Sequence, residues 1–209
     1  MRIGIDAREG FRQQPRGIGL YVRHLTREFA NLAADDEFLL YHQLLLADDS
    51  KNPFHLAANQ KSVHTDMRGD RLHAWERLQM PWRIRRDKLD VYHGTYNTLP
   101  PRWPLWKGPP MVVTMHDILV TWYPDNRDDS FVRYARKVTQ RVLQDAAVVL
   151  TVSEWSKRDI CERFDCDPGK VRISLNGLHP EMLQGAPDGA GDRARQQYAD
   201  NRPYLFAVG

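Results

Sequence analysis

Short apolar runs alternate along the chain with stretches whose apolar residues recur every three or four positions. The runs Arg2–Ala7, Glu37–His42, Ser62–Thr65, Leu89–His93, Met111–Met115, Ala146–Val152 and Val171–Leu175 have the length and composition of strands. Gly17–Ala33 places Ile18, Val22, Leu25, Phe29 and Leu32 at helical steps. Phe131–Leu143 does the same with Phe131, Tyr134, Ala135, Val138 and Val142. Asp70–Met80 reads as a helix that stops before Pro81, and Glu154–Phe164 as a helix with Ser153 at its N-cap. Ala146–Val152 is apolar at successive positions, as a strand covered on both faces must be. Repeated β-α units with buried strands predict an α/β fold: a Rossmann-like, doubly wound parallel sheet with helices on both faces.

The pattern changes near the end. Residues 184–195, QGAPDGAGDRAR, have the composition of a linker, and PYLFAVG, residues 203–209, follows as an apolar strand. The expected organisation is one domain over 1–183, a linker over 184–202, and the first strand of a second domain over 203–209.

Composition narrows the class. The 209 residues, 42% of them hydrophobic, suit one large domain or a domain with an appendage. Thirty basic residues nearly balance twenty-seven acidic ones, for a net charge of +3, so nucleic acid is not an implied partner. The two cysteines, Cys161 and Cys166, do not have a zinc site's spacing and read as reduced thiols of a cytoplasmic protein. The start MRIGIDAREG lacks the apolar core of a signal peptide, and AAVVLTV is too short to span a bilayer, so any membrane contact is peripheral. Trp75, Trp82, Trp103 and Trp106 share residues 75–110 with Arg83, Arg85, Arg86 and Lys88. Two readings stand: core tryptophans beside a solvated helix face, or a surface suited to a membrane interface, at the inner face of the plasma membrane, or to a greasy, charged acceptor.

Ligands of open α/β sheets bind at the carboxyl ends of the strands. Here those ends carry Asp6-Ala7-Arg8, His93-Gly94-Thr95-Tyr96-Asn97, His116-Asp117, Ser153-Glu154 and Asn176-Gly177. Two histidines at strand ends point to a shared site, although each is also accounted for as a hydrogen-bonded strand terminator. No third ligand stands at a metal-site spacing. A Ser153–His116–Asp117 triad lacks the G-x-S-x-G elbow, and adjacent residues diverge. The stretch RGIGLYV opens a helix with Gly17 and Gly19. It lacks the third glycine of the dinucleotide fingerprint. It is a plain turn, or a helix start that a phosphate approaches closely.

Together, MRIGIDAR, RGIGLYVRHL, LDVYHGTYNTLPP, VVTMHDILVTWYP, AAVVLTVSEWSKRDI, VRISLNGL and PYLFAVG resemble, in this order, the family 4 glycosyltransferases of the GT-B fold. The resemblance is to bacterial mannosyltransferase-like enzymes of surface polysaccharide synthesis. It implies an N-terminal, acceptor-side domain of a retaining enzyme that moves a sugar from a nucleotide-sugar to a glycan or lipid-linked acceptor. It implies no metal and no cofactor beyond the donor co-substrate, with GDP-mannose the donor it suggests. Gly17 and Gly19 match the glycine loop near the donor diphosphate. His93, His116 and Asp117 match catalytic-edge positions, Asp117 as acceptor of a hydrogen bond from the acceptor hydroxyl. Arg8, Thr95, Tyr96, Asn97 and Ser153 are the acceptor-binding candidates. The family's paired glutamates and phosphate-clamping basic residues belong to its other domain, so this chain alone is expected to be inactive. The rivals are a non-catalytic glycan-binding module and an unrelated nucleotide-binding α/β protein; the missing third glycine and the lack of a Tyr-x-x-x-Lys pair argue against the latter.

Overall fold

The computed structural model describes residues 1–43, 56–65, 75–102, 108–122, 129–178 and 184–205. They form two compact units, Met1–Leu175 and Asn176–Gly209.

In the first unit, seven strands make one parallel sheet: β1 (Arg2–Asp6), β2 (Glu37–His42), β3 (Gln60–His64), β4 (Val91–Gly94), β5 (Met111–Thr114), β6 (Val148–Thr151) and β7 (Val171–Ile173). Their order is β3-β2-β1-β4-β5-β6-β7, with every neighbouring pair parallel. The chain builds outward from β1 in one direction, then crosses to β4 and builds in the other. Right-handed crossovers therefore put helices on opposite faces of the two halves. Helix α1 (Ile18–Leu32) covers the β1–β2 half, where Ile5, Phe11, Val22, Phe38 and Leu40 form one core. Helices α2 (Met80–Arg86), α3 (Asp129–Asp145) and α4 (Glu154–Phe164) contribute to the other core, with Ile84, Val142 and Ile160 packed near Val113 and Val149. Strand β2 shows the division directly. Phe38 and Leu40 enter the first core while Leu39 and Tyr41 enter the second, as a two-residue period requires.

Three expectations shift. The helix expected to stop before Pro81 continues to Arg86, because a wider π turn, Trp75–Gln79, directly precedes Pro81 in the first turn of α2. There the missing N–H costs least, and the wide turn relieves the ring's clash with the preceding carbonyls. On α1 the buried positions are Gly19, Val22, Thr26 and Ala30, whereas Leu32 is exposed. Small residues let the helix lie close to the sheet. On α3 the buried positions are Val132, Thr139, Val142 and Leu143, while Phe131 and Tyr134 lie at the surface. Val22 and Val142 are buried as read, and Ile18, Phe29 and Val138 pack against the cores, so the stripes hold along one edge and fail at Leu32, Phe131 and Tyr134.

The second unit contains helix α5 (Ala190–Ala199), started by Gly189 at a φ of 70° and burying none of its residues. It lies within the stretch read as a linker. Pro203–Leu205 are not strand, and the remainder of PYLFAVG lies outside the described residues, as do Trp103 and Trp106. Among the described residues no helix is long and apolar enough to cross a membrane.

Candidate functional site

The order of strands reverses between β1 and β4, and their carboxyl ends are where such a sheet opens a crevice. The register sets Ile5 beside His93, so Asp6 and Gly94 leave the sheet together. The Thr95 hydroxyl donates to the Asp6 carbonyl at 2.5 Å and ties the two exits. Asn97, at a φ of 56°, turns the next loop back. Its N–H donates to the Thr114 carbonyl at 3.1 Å, and its Oδ1 accepts from the His116 N–H at 2.8 Å. Thr95 and Asn97, read as acceptor ligands, thus hold the edge together from inside; Tyr96 is half-buried between them.

His93 is buried, with Nε2 2.8 Å from Thr114 Oγ1. Burial drives its pKa down to about 4, against the favourable charge of Asp6 and with a further push from His116. Tyr21, in the first turn of α1, reaches the same hydroxyl from the other side at 3.1 Å. Its ring meets His116 edge-on, 4.9 Å between centroids and 89° between planes. His116 is half-buried, which lowers its pKa, and its Nε2 lies 3.1 Å from the Thr95 carbonyl. A carbonyl only accepts, so that nitrogen carries the proton. Asp117 is exposed; its Oδ1 accepts from the Leu119 N–H at 3.0 Å and starts the short 3-10 turn Leu119–Thr121. Ser153 caps α4, as its sequence position predicts, accepting from the Ser156 N–H at 3.0 Å. The Ser156 hydroxyl donates to the His116 carbonyl at 3.3 Å and joins the α4 start to this edge.

The two glycines differ. At Gly19 an added Cβ would stand 2.6 Å from the Glu9 carbonyl oxygen and 2.8 Å from Pro15 Cβ. The close approach there is made by the chain's own loop. At Gly17, with a φ of 31°, nothing lies within 4 Å of an added Cβ. Gly17 is the open backbone of the pair. Gly19→Ala should therefore destabilise the domain by about 1–3 kcal/mol through overpacking, read as a lowered urea midpoint at unchanged slope. An unchanged midpoint would show that the loop simply moves aside.

Arg8 is not at the surface. Its Nε and Nη2 donate to Asp6 at 2.9 and 2.6 Å, and Nη2 also donates to Glu76 at 2.9 Å. The guanidinium lies 4.0 Å over the Trp75 ring, itself a core residue. Burial acts to lower its pKa and is outweighed by the charge and hydrogen bonds of Asp6 and by Glu76, so the net shift is upward. Thr98 donates to Glu76 as well. Arg8, read as an acceptor ligand, instead clamps β1 to the π turn. Glu76, Tyr21 and Thr114 are the members of this edge that the sequence reading missed. Of these, Tyr21 had a usable signal, its place inside RGIGLYV. Among the described residues no cluster could hold a metal ion.

Comparison with known proteins decides the family: the model of Glycosyltransferase Family 4 matches residues 15–182. The chain belongs to glycosyltransferase family 4. It is 28% identical over 192 residues to O-antigen chain mannosyltransferase B of Escherichia coli, covering 88% of this chain and 49% of that protein. The fold is that of the N-terminal domains of GT-B glycosyltransferases. WaaG, a glycosyltransferase involved in lipopolysaccharide biosynthesis, matches 94% of this chain with 51% of its own, at TM-score 0.62 and 13% identity. Sucrose-phosphate synthase of Thermosynechococcus elongatus matches 97% with 53% of its own, at TM-score 0.60 and 16% identity. Anabaena HepE, solved with UDP-glucose, matches 94% with 49% of its own, at TM-score 0.54 and 14% identity. This family 4 chain thus spans about half the length of the relatives it matches.

Proposed function

We propose that this family 4 domain is the acceptor-side half of a retaining transferase, carrying a sugar from a nucleotide-sugar to a glycan or lipid-linked acceptor in surface polysaccharide synthesis. Mannose from GDP-mannose is the first donor to test, on the likeness to the O-antigen mannosyltransferase. The observation that carries the reading is that His93, at the end of β4, and His116, just after β5, are joined through Thr114 and Tyr21 to the first turn of the helix that Gly17 opens. Asp117 is exposed and offers a carboxylate to an acceptor hydroxyl; His116 presents a half-buried ring beside it. Gly17 admits a phosphate to the start of α1, where the helix dipole favours an anion. The domain alone does not turn over donor. Arg8 is committed to two carboxylates and cannot neutralise a leaving diphosphate, a major catalytic contribution.

Trp82 is exposed, with the Arg83 and Arg86 guanidiniums 5.4 and 5.0 Å from its ring centre. It supports the peripheral contact at a cytoplasmic membrane face, now without Trp75.

The test is titration of the isotope-labelled 209-residue chain with lipid-linked acceptor and, separately, with a panel of nucleotide-sugars. Acceptor is expected to shift the amides of Asn97, Asp117 and Ser153, and donors those of Gly17 and Ile18, with no nucleotide released. Acceptor shifts confined to Trp82–Lys88 would remove the strand-end site from acceptor binding. Acceptor-dependent nucleotide release would overturn the inactivity of the domain.

A further inference from the structure

We infer that Tyr21 and Thr114 are positioning residues that fix the tautomer of His93, leaving its Nε2 as acceptor and its proton on Nδ1. The functional meaning rests on the proposed acceptor-side site; the tautomer itself is a property of the chain without ligand.

Thr114 Oγ1 lies between two partners, His93 Nε2 at 2.8 Å and Tyr21 Oη at 3.1 Å. A threonine hydroxyl has one hydrogen to give. Among the described residues Tyr21 Oη makes no other hydrogen bond, and the phenol is the more acidic of the two hydroxyls. Its proton is satisfied only if Tyr21 donates to Thr114. Thr114 then spends its own hydrogen on His93 Nε2. The opposite tautomer, with Nε2–H donating, would leave Thr114 Oγ1 accepting from both neighbours and its own buried hydrogen without an acceptor among the described residues, a donor lost without compensation. Burial keeps His93 neutral against Asp6, while His116 and the Phe29 ring, 6.4 Å away, add no stabilising charge. The two histidines consequently hold opposite tautomers, His93 protonated on Nδ1 and His116 on Nε2.

A buried neutral imidazole of fixed tautomer offers one donor of known position without importing a charge. Tyr21 belongs to the first turn of the helix that Gly17 opens, so the relay links the helix start to the β4 exit across the end of the sheet.

Nitrogen-detected NMR of the ring nitrogens in the 209-residue chain, with His93 assigned through His93→Gln, tests this directly. The expected wild-type signature is Nδ1–H for His93 and Nε2–H for His116. Thr114→Val, nearly isosteric at a buried position, should convert His93 to a mixture containing Nε2–H, and Thr114→Ser should restore the wild-type signature. Tyr21→Phe should give an intermediate mixture with the amide spectrum elsewhere unchanged. A wild-type Nε2–H signature overturns the inference whether or not the variants fold, as does a Thr114→Val spectrum with His93 unaltered. A failed acceptor titration with Nδ1–H present would remove the site reading and leave this one standing.

Discussion

Arg8→Met should cost the domain about 3–5 kcal/mol, the largest single loss expected from one substitution here. The side chains involved are nearly closed to solvent, at 6% exposure for Arg8, 2% for Asp6 and 8% for Glu76. Methionine restores much of the volume and the contact with Trp75, so the loss isolates charge. Two carboxylates would remain in a low-dielectric interior with their shared cation gone. Urea unfolding measures it. Asp6→Asn and Glu76→Gln added to Arg8→Met should recover most of the stability. A loss below about 1 kcal/mol at pH 8 would show that water reaches the cluster and solvates it.

The second large effect is acid destabilisation through His93. Its folded pKa is near 4, against an ordinary value of 6.5. Between those values the unfolded chain binds a proton that the folded chain refuses. The stability contribution is therefore whole above pH 6.5, falls as pH drops, and is gone once pH has passed below 4. The difference amounts to about 3 kcal/mol at roughly 1.4 kcal/mol per pH unit. His116, also lowered by burial, adds in the same direction. His93→Gln should flatten this part of the profile, whatever its effect at neutral pH. Parallel profiles for wild type and variant between pH 6.5 and 4 would sink the account.

All seven strands of the sheet were legible because buried parallel strands leave short apolar runs and their polar exits follow at once. The residues at those exits, from Asp6-Ala7-Arg8 to Ser153-Glu154, were legible for the same reason. Which partner each one takes was not. Arg8 meets Glu76 across 68 residues and Tyr21 meets Thr114 across 93, and no local pattern records such pairs. The ends of the α1 and α3 faces were misplaced because size counts as well as polarity: Thr26 and Thr139 are buried where Leu32 and Phe131 are exposed. Pro81 misled because its cost depends on the turn before it, and the π turn has no signature of its own. Gly19 read as a ligand approach because close contact by the chain's own loop asks for the same residue.

In that loop, residues 7–17, the stretch Gly10–Arg12 is anchored. Arg23 donates to the Gly10 and Arg12 carbonyls at 2.7 Å each, and Phe11 stacks on His42 with 3.7 Å between ring centroids. Its conformational freedom is surrendered when the polypeptide folds. On the donor reading proposed for Gly17, the anchored stretch needs no ordering when a ligand arrives, so that share of the association entropy is already spent in folding.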